Sequence, residues 1–248
     1  MMLRCAAFLA VAVFSQAATT LTLRPSASTA NAGDAYLRAA APASNFGGAG
    51  ALVVSGSGAG NTNGPFASVL KFDLALATTA LNAAYGAGNW TIDSVLLEFT
   101  AVTPNNVTFN ANAAGTISID WLSTDSWSET GGSGITWNSL PSVVAGGSQS
   151  LGSLSYNGSL GTFQAAVAPS AGLLNDLASG GTASFYLHAG SDPAASMVFN
   201  SRNFGTEASR PALIIVASPE PGRASLFLLG AAILLARRRR HASMQPCR

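Results

Sequence analysis

Three aromatic side chains, Trp127, Trp137 and Tyr186, stand among Ser, Thr, Asn and Gly residues. These are the residue types that hold a sugar: a flat ring stacks on the C–H face and small polar neighbours take the hydroxyls. Four carboxylates, Glu98, Asp120, Asp125 and Glu129, could supply the pair that glycoside hydrolysis uses. Glu98 and Asp120 occupy polar positions of alternating segments, where a solvated carboxylate is the ordinary outcome. Asp34, Asp73, Asp125 and Asp192 are candidate oxygen donors for a structural calcium, though no EF-hand or repeat spacing joins them. No other cofactor is implied. There are two histidines, and with His241 in the basic tail only His188 is left for a triad; it is expected on the outer face of its strand. One histidine without a neighbouring cysteine cannot build a zinc site, since Cys5 and Cys247 lie at the two extremes. The glycine-rich residues 56–61 lack the Gly-Lys-Ser/Thr ending of a phosphate loop and read as a surface loop.

Strands must position these groups. Leu70, Phe72 and Leu74 share one face of an alternating segment, as do Val95, Leu97 and Phe99, and Ile117, Ile119 and Trp121. Further strands are expected at residues 21–23, 35–37, 185–188, 197–199 and 213–216, with Gly, Ser, Asn and Pro clusters turning the chain between them. Only residues 171–177, ahead of Ser179-Gly180-Gly181, read as a helix. Many short strands and few helices predict an all-β fold, an antiparallel jelly-roll-like β-sandwich over residues 19–217.

The two ends differ from this middle. Residues 1–18 read as a secretory signal peptide: Arg4 gives the positive start, residues 5–14 the apolar stretch, and Ser15-Gln16-Ala17 a small-residue cleavage site with Ala18 following. At the other end Ser218-Pro219-Glu220-Pro221-Gly222 breaks any helix. An apolar run over residues 224–236 follows, and then Arg237, Arg238, Arg239 and Arg240. At a rise of about 1.5 Å per residue this single hydrophobic helix is about 20 Å long, short of a hydrocarbon core of about 30 Å. The arginines would hold their side, with the tail 241–248, in the cytoplasm. Between Thr19 and Ser218 there are five basic and ten acidic residues, a net charge of −5, which speaks against nucleic acid as a partner.

The order Pro219-Glu220-Pro221, apolar run, Arg cluster resembles the PEP-CTERM sorting signal of Gram-negative bacteria, over residues 218–240. The resemblance implies transient inner-membrane anchoring and processing near Pro219–Pro221 by an exosortase-like transpeptidase after signal peptidase has acted. It also implies a secreted or cell-surface protein in an exopolysaccharide or biofilm setting. A second resemblance lies in the middle. Gly33-Asp34-Ala35-Tyr36-Leu37, Asn45-Phe46-Gly47, Leu70-Lys71-Phe72-Asp73-Leu74, the segment from Trp127-Ser128-Glu129 to Thr136-Trp137-Asn138, and Ser201-Arg202 through Arg210-Pro211 are similar, in order, to a DNRLRE-type domain. Residues 75–91 read as an insertion in that pattern. Such domains are jelly-roll sandwiches, some of which bind acidic polysaccharide; the negative charge and single lysine count against that ligand class here. The leading expectation is a non-enzymatic structural or adhesive surface protein. A carbohydrate-binding module for an extracellular polysaccharide is the first alternative, and a polysaccharide-active enzyme the second.

Overall fold

The computed structural model describes residues 17–220 except 106, 107 and 109. Alternation of apolar and polar residues produces eleven strands. They are β1 (Thr19–Leu23), β2 (Gly33–Arg38), β3 (Ala51–Ser55), β4 (Phe66–Asp73), β5 (Trp90–Ala101), β6 (Gly115–Leu122), β7 (Ser148–Tyr156), β8 (Gly161–Val167), β9 (Thr182–His188), β10 (Ser196–Asn200) and β11 (Ala212–Pro219). Every pairing is antiparallel.

One hydrogen-bonded path runs β1-β11-β5-β10-β3-β4-β9-β6-β7, with β2 added beside β4 and β8 beside β5. Strand β10 meets β5 only at Phe199–Ala101, and β3 meets β4 only at Ser55–Phe66. The β3–β10 ladder therefore bridges two groups, β1-β11-β5-β8 and β2-β4-β9-β6-β7. Their facing sides share one core, in which Leu70, Phe72, Phe185 and Ile119 meet Val95, Leu97, Phe99 and Ile215. Edge-to-face rings fill it, Phe72 with Phe185 at 5.8 Å and Phe99 with Phe199 at 5.1 Å between centroids. The fold is the expected antiparallel β-sandwich. All nine apolar residues of the three leading alternating segments point into the core.

Two elements correct the sequence reading. Residues 75–91, which read as an insertion in the DNRLRE-type pattern, hold α1 (Ala75–Tyr85), a helix beyond the one expected at 171–177. Alanine-rich sequence favours a helix, but only Ala77, Thr78 and Leu81 are buried, so the helical period is faint. A second helix, α2 (Leu140–Ala145), carries Pro141 in its first turn, and α3 (Ala171–Ser179) is the helix expected at 171–177. It was legible because both ends are marked: Ser170 Oγ accepts from Leu173 N–H, and Gly180 sits at φ 67°. Strands β7 and β8 were not foreseen. In β7 the buried residues are Leu151, Leu154 and Tyr156, a spacing that breaks the two-residue period. The cause is a bulge opposite Ile119/Asp120, where Gly152 takes φ 126°.

Among the described residues no helix is long and apolar enough to cross a membrane. The proposed apolar helix, Pro221, Arg237, Arg238, Arg239 and Arg240 lie outside the described residues, as do residues 1–16 of the signal peptide. Ala17 and Ala18 are exposed, and β1 begins at the next residue. Strand β11 continues two residues past the expected domain end, to Pro219, and Glu220 N–H donates to Asn89 O at 2.9 Å.

Candidate functional site

Strand alternation sends one set of side chains into the core and the other outward. On the β2-β4-β9-β6 group the outward set includes Leu37, Val69, Leu122 and Tyr186, which would leave an apolar face in water. The connection between β6 and β7 covers it. Trp127, Ile135 and Leu140 from that connection complete a second hydrophobic cluster, and Trp137, Val143, Val144 and Tyr186 pack on its margin.

Polar fastenings hold the cover in place. Lys71 Nζ donates to Trp127 O at 2.7 Å and lies 4.6 Å above the Trp127 ring. Ser184 Oγ donates to Asp125 Oδ1 at 2.6 Å, and Trp127 Nε1 donates to Ser184 Oγ at 3.3 Å. Asn45 Nδ2 donates to both Glu129 O and Ile135 O at 2.8 Å. Arg202 grips the Glu129 carboxylate, its Nε 3.0 Å from both oxygens. Gly47 lies so close that a Cβ there would stand 1.9 Å from Glu129 O, whereas one at Gly48 would meet nothing within 4 Å. Gly47→Ala is expected to lower stability by about 1–3 kcal/mol, as overpacking does. Gly48→Ala should stay within about 0.5 kcal/mol, as surface changes do. Urea unfolding of the two variants side by side checks this.

This arrangement corrects one candidate. Trp127 is only 6 % exposed, with one face under Lys71 and its N–H bonded, so it offers no ring face to a ligand. It pins the cover to the sheet. Trp137 and Tyr186 have the opposite fate: both are half-buried, and they line one groove of about 430 Å³ together with His188, Ser57, Asp192 and Pro193. That volume falls in the usual range of small-ligand clefts, about 300–1,000 Å³. Tyr186 lies flat on His188, centroids 4.5 Å apart and planes at 17°. His188 Nδ1 accepts from Gly190 N–H at 3.0 Å, so the ring proton is on Nε2, which donates to Asp120 Oδ2 at 3.1 Å. Both ring nitrogens are thereby used, and His188 serves as a fixed platform under Tyr186. Among the described residues neither the Trp137 indole N–H nor the Tyr186 hydroxyl has a hydrogen-bond partner, so each is available to a ligand.

The far wall comes from two loops in contact. Asp192 Oδ2 accepts from Thr116 N–H at 2.8 Å and its Oδ1 from Ala194 N–H at 3.0 Å; these bonds hold its carboxyl below the usual carboxylate range. Gly58 N–H donates to Pro193 O at 2.8 Å, and a Cβ on Gly56 would lie 2.5 Å from that same oxygen. Gly56 is thus packed tightly against the 192–193 turn, while Ser57, Gly58 and Gly60 are exposed, as a surface loop would be.

The remaining carboxylates are dispersed, each with its own partner. Glu98, expected in solvent, is 8 % exposed, paired with Arg24 and bonded to Gln164 Nε2 at 2.7 Å. Burial would raise it, but those two partners hold its carboxyl below the ordinary value. Asp73 Oδ1 accepts from Ala75 N–H at the start of α1. Asp125 is bonded to Ser184, and Asp34 lies beside Arg202 and Glu129. The structure does not bring Asp34, Asp73, Asp125 and Asp192 together, and among the described residues no group of three or more His, Cys, Asp or Glu could hold a metal ion.

Asp34 has a measurable consequence. Its Oδ2 accepts from Arg202 N–H at 2.6 Å, while its buried Oδ1 has no partner. Burial is the main reason its pKa is pushed up to about 7; Glu129 adds to the rise. The folded state therefore holds this proton more tightly than the unfolded chain does. The stability it contributes is full below about pH 4, and is lost as pH rises through about 7. Urea midpoints should fall across that window, and Asp34→Asn should flatten the fall.

The described residues thus form a β-sandwich with an aromatic-lined groove beside its covered face. The sequence profile of carbohydrate-binding module family 96 matches residues 25–217, and the chain belongs to that family. No curated protein matches the chain.

Sequence reasoning singled out Trp137 and Tyr186, which the structure places on one groove, but missed Ser57, Pro193 and His188 as lining of that groove, and missed Lys71, Asn45 and Arg202 as fastenings. These partners stand 56 residues apart for Lys71–Trp127 and 73 for Arg202–Glu129, so no local spacing could reveal them.

Proposed function

We propose that the protein is an exported, non-catalytic carbohydrate-binding module that holds polysaccharide in the Trp137–Tyr186 groove. One observation carries this reading. Two aromatics 49 residues apart, Trp137 and Tyr186, converge on a single groove with free polar edges. Family membership supports the same role, and it favours carbohydrate binding over the structural or adhesive role first expected. Affinity electrophoresis of the full chain through gels cast with individual polysaccharides tests it. Retardation by at least one polysaccharide, lost in Trp137→Ala, is the expected result; equal mobility of the two proteins in every gel would contradict it.

Delivery belongs to the same reading. The signal-peptide pattern supports export with cleavage between Ala17 and Ala18. The order Pro219-Glu220-Pro221, apolar run, arginines supports transient inner-membrane anchoring and release to the surface of a Gram-negative cell by an exosortase-like transpeptidase. Cleavage at both places would spare the sheet, which runs from Thr19 to Pro219. Mass spectrometry of the mature protein should show Ala18 at the amino end and loss of everything beyond about Pro221. An intact chain would contradict that route. A jelly-roll-like sandwich that takes up a structural calcium through one of its aspartates remains part of the proposal, to be tested by metal analysis of the purified protein.

A further inference from the structure

The two ends of the described chain meet at one place. Tyr85 Oη, at the end of α1, donates to Ala17 O at 2.7 Å and stands 3.2 Å from Ala217 O. A few residues further on, Asn89 O accepts from Glu220 N–H at 2.9 Å. Beside Asn89 lies another groove of about 430 Å³, which shares no residue with the Trp137–Tyr186 groove. Its lining comes from the turn between α1 and β5 and from α3, and includes Gly88, Trp90, Ile92, Pro169 and Leu174. No charged residue is among them, and residues 74–92 contain none at all. Leu174 is 38 % exposed, and Ala87, Gly88 and Pro169 are exposed as well. Trp90 is half-buried, its indole N–H held by Asn82 Oδ1 at 2.9 Å.

Resting on the reading of residues 224–236 as a membrane anchor, we infer that this groove is a membrane-docking face, seated in the headgroup layer of the bilayer while the chain is anchored. Length decides it. Ala224, where the apolar run begins, is four residues past Glu220, at most about 14 Å of extended chain. The run itself, about 20 Å as a helix, is shorter than a hydrocarbon core of about 30 Å. A span that short draws its start inward rather than holding the domain off the surface. The edge of the sandwich at Glu220 is thereby kept against the headgroups, and Asn89 brings the groove with it.

The surface presented there suits that layer. Tryptophan and tyrosine, each with an apolar body and a polar edge, are the side chains that settle at headgroup depth. Seating Ile92, Pro169 and Leu174 against lipid removes apolar area from water and desolvates no charge. An uncharged face needs no anionic lipid. A second copy of the chain has no comparable tether to bring it to this edge.

The test reconstitutes the full chain into phosphatidylcholine vesicles, with and without brominated acyl chains that quench tryptophan on close approach. Flotation reports anchoring and fluorescence reports docking. The expected result is flotation with quenching that is insensitive to salt, lost in Trp90→Phe, and lost in Leu174→Glu although that variant still floats. Leu76→Glu alters an 80 % exposed leucine of α1 that lies about 14 Å along the helix from Tyr85, and it should be quenched like the unaltered chain. Circular dichroism should be unchanged in all three variants. Flotation without Trp90-dependent quenching, or quenching that survives Leu174→Glu, would overturn the inference while leaving the anchor in place. A lipid-independent dimer that Leu174→Glu dissolves, seen by analytical ultracentrifugation, would assign the face to a second copy and overturn it too. Failure of the chain to float would overturn the anchor reading itself, and the inference with it.

Discussion

Trp137→Ala is expected to weaken binding of the best polysaccharide ligand by about 30-fold, equivalent to roughly 2 kcal/mol, while leaving the fold intact. Trp137 is half-buried at the margin of the second hydrophobic cluster and forms one wall of the groove. Its removal takes away a ring face and a free N–H at once. The stability cost should be small, because the cluster is closed beneath it by Trp127, Ile135 and Leu140. Trp127→Ala makes the contrast. Its ring is buried, so that variant should unfold far more easily, by about 3–5 kcal/mol, as buried aromatic truncations do. Equal effects of the two substitutions on binding with no difference in stability would contradict the placement of one tryptophan in the groove and the other beneath it.

Arg202→Ala is the second large effect. This guanidinium is 7 % exposed and joins three parts of the chain. Its Nε and Nη2 hold Glu129, its Nη1 donates to Ser26 O at 2.6 Å, and its backbone N–H donates to Asp34. Truncation leaves a nearly buried carboxylate facing Asp34 without its cation. Breaking one partner of such a pair costs about 3–5 kcal/mol, mostly through the charge left behind. Lysine would keep the charge but lose the planar fork that reaches both oxygens, so Arg202→Lys should fall between. Because Glu129 anchors the same connection that carries Trp137, Arg202→Ala should also weaken polysaccharide binding. Urea unfolding followed by fluorescence checks the first effect, and titration in the absence of urea the second. A loss of stability below about 1 kcal/mol would mean that the Arg202–Glu129 pair does not fasten the cover.

The sandwich was legible where alternation is clean. Leu70-Lys71-Phe72-Asp73-Leu74 announces a strand because each second residue is apolar and each is buried. Strand β7 was hidden because one extra residue at Leu151 shifts its buried positions out of step. Helix α1 was hidden for a different reason: it rests on the sandwich through three small or medium side chains, so its sequence is simply alanine-rich. The groove was half legible. Aromatic residues among small polar ones announce sugar chemistry, yet nothing local separates Trp127 from Trp137, ten positions apart in one connection. What separates them is Lys71 on β4 and Ser184 on β9, which fix Trp127 beneath the cover and leave Trp137 at its edge. The arginine that holds the cover arrives from beyond β10, a distance in sequence that only the folded chain closes.

The most direct measurement is the set of four tryptophan indole N–H signals in a nitrogen-15 correlation spectrum, recorded as oligosaccharides of the tightest-binding polysaccharide are added. The Trp137 signal should move and saturate with the ligand. Trp121 and Trp127, bonded to Asp176 and Ser184, should stay in place, as should Trp90, bonded to Asn82. A stationary Trp137 signal with a shifting Trp90, or four unmoved signals at saturating ligand, would place the binding surface somewhere other than this groove.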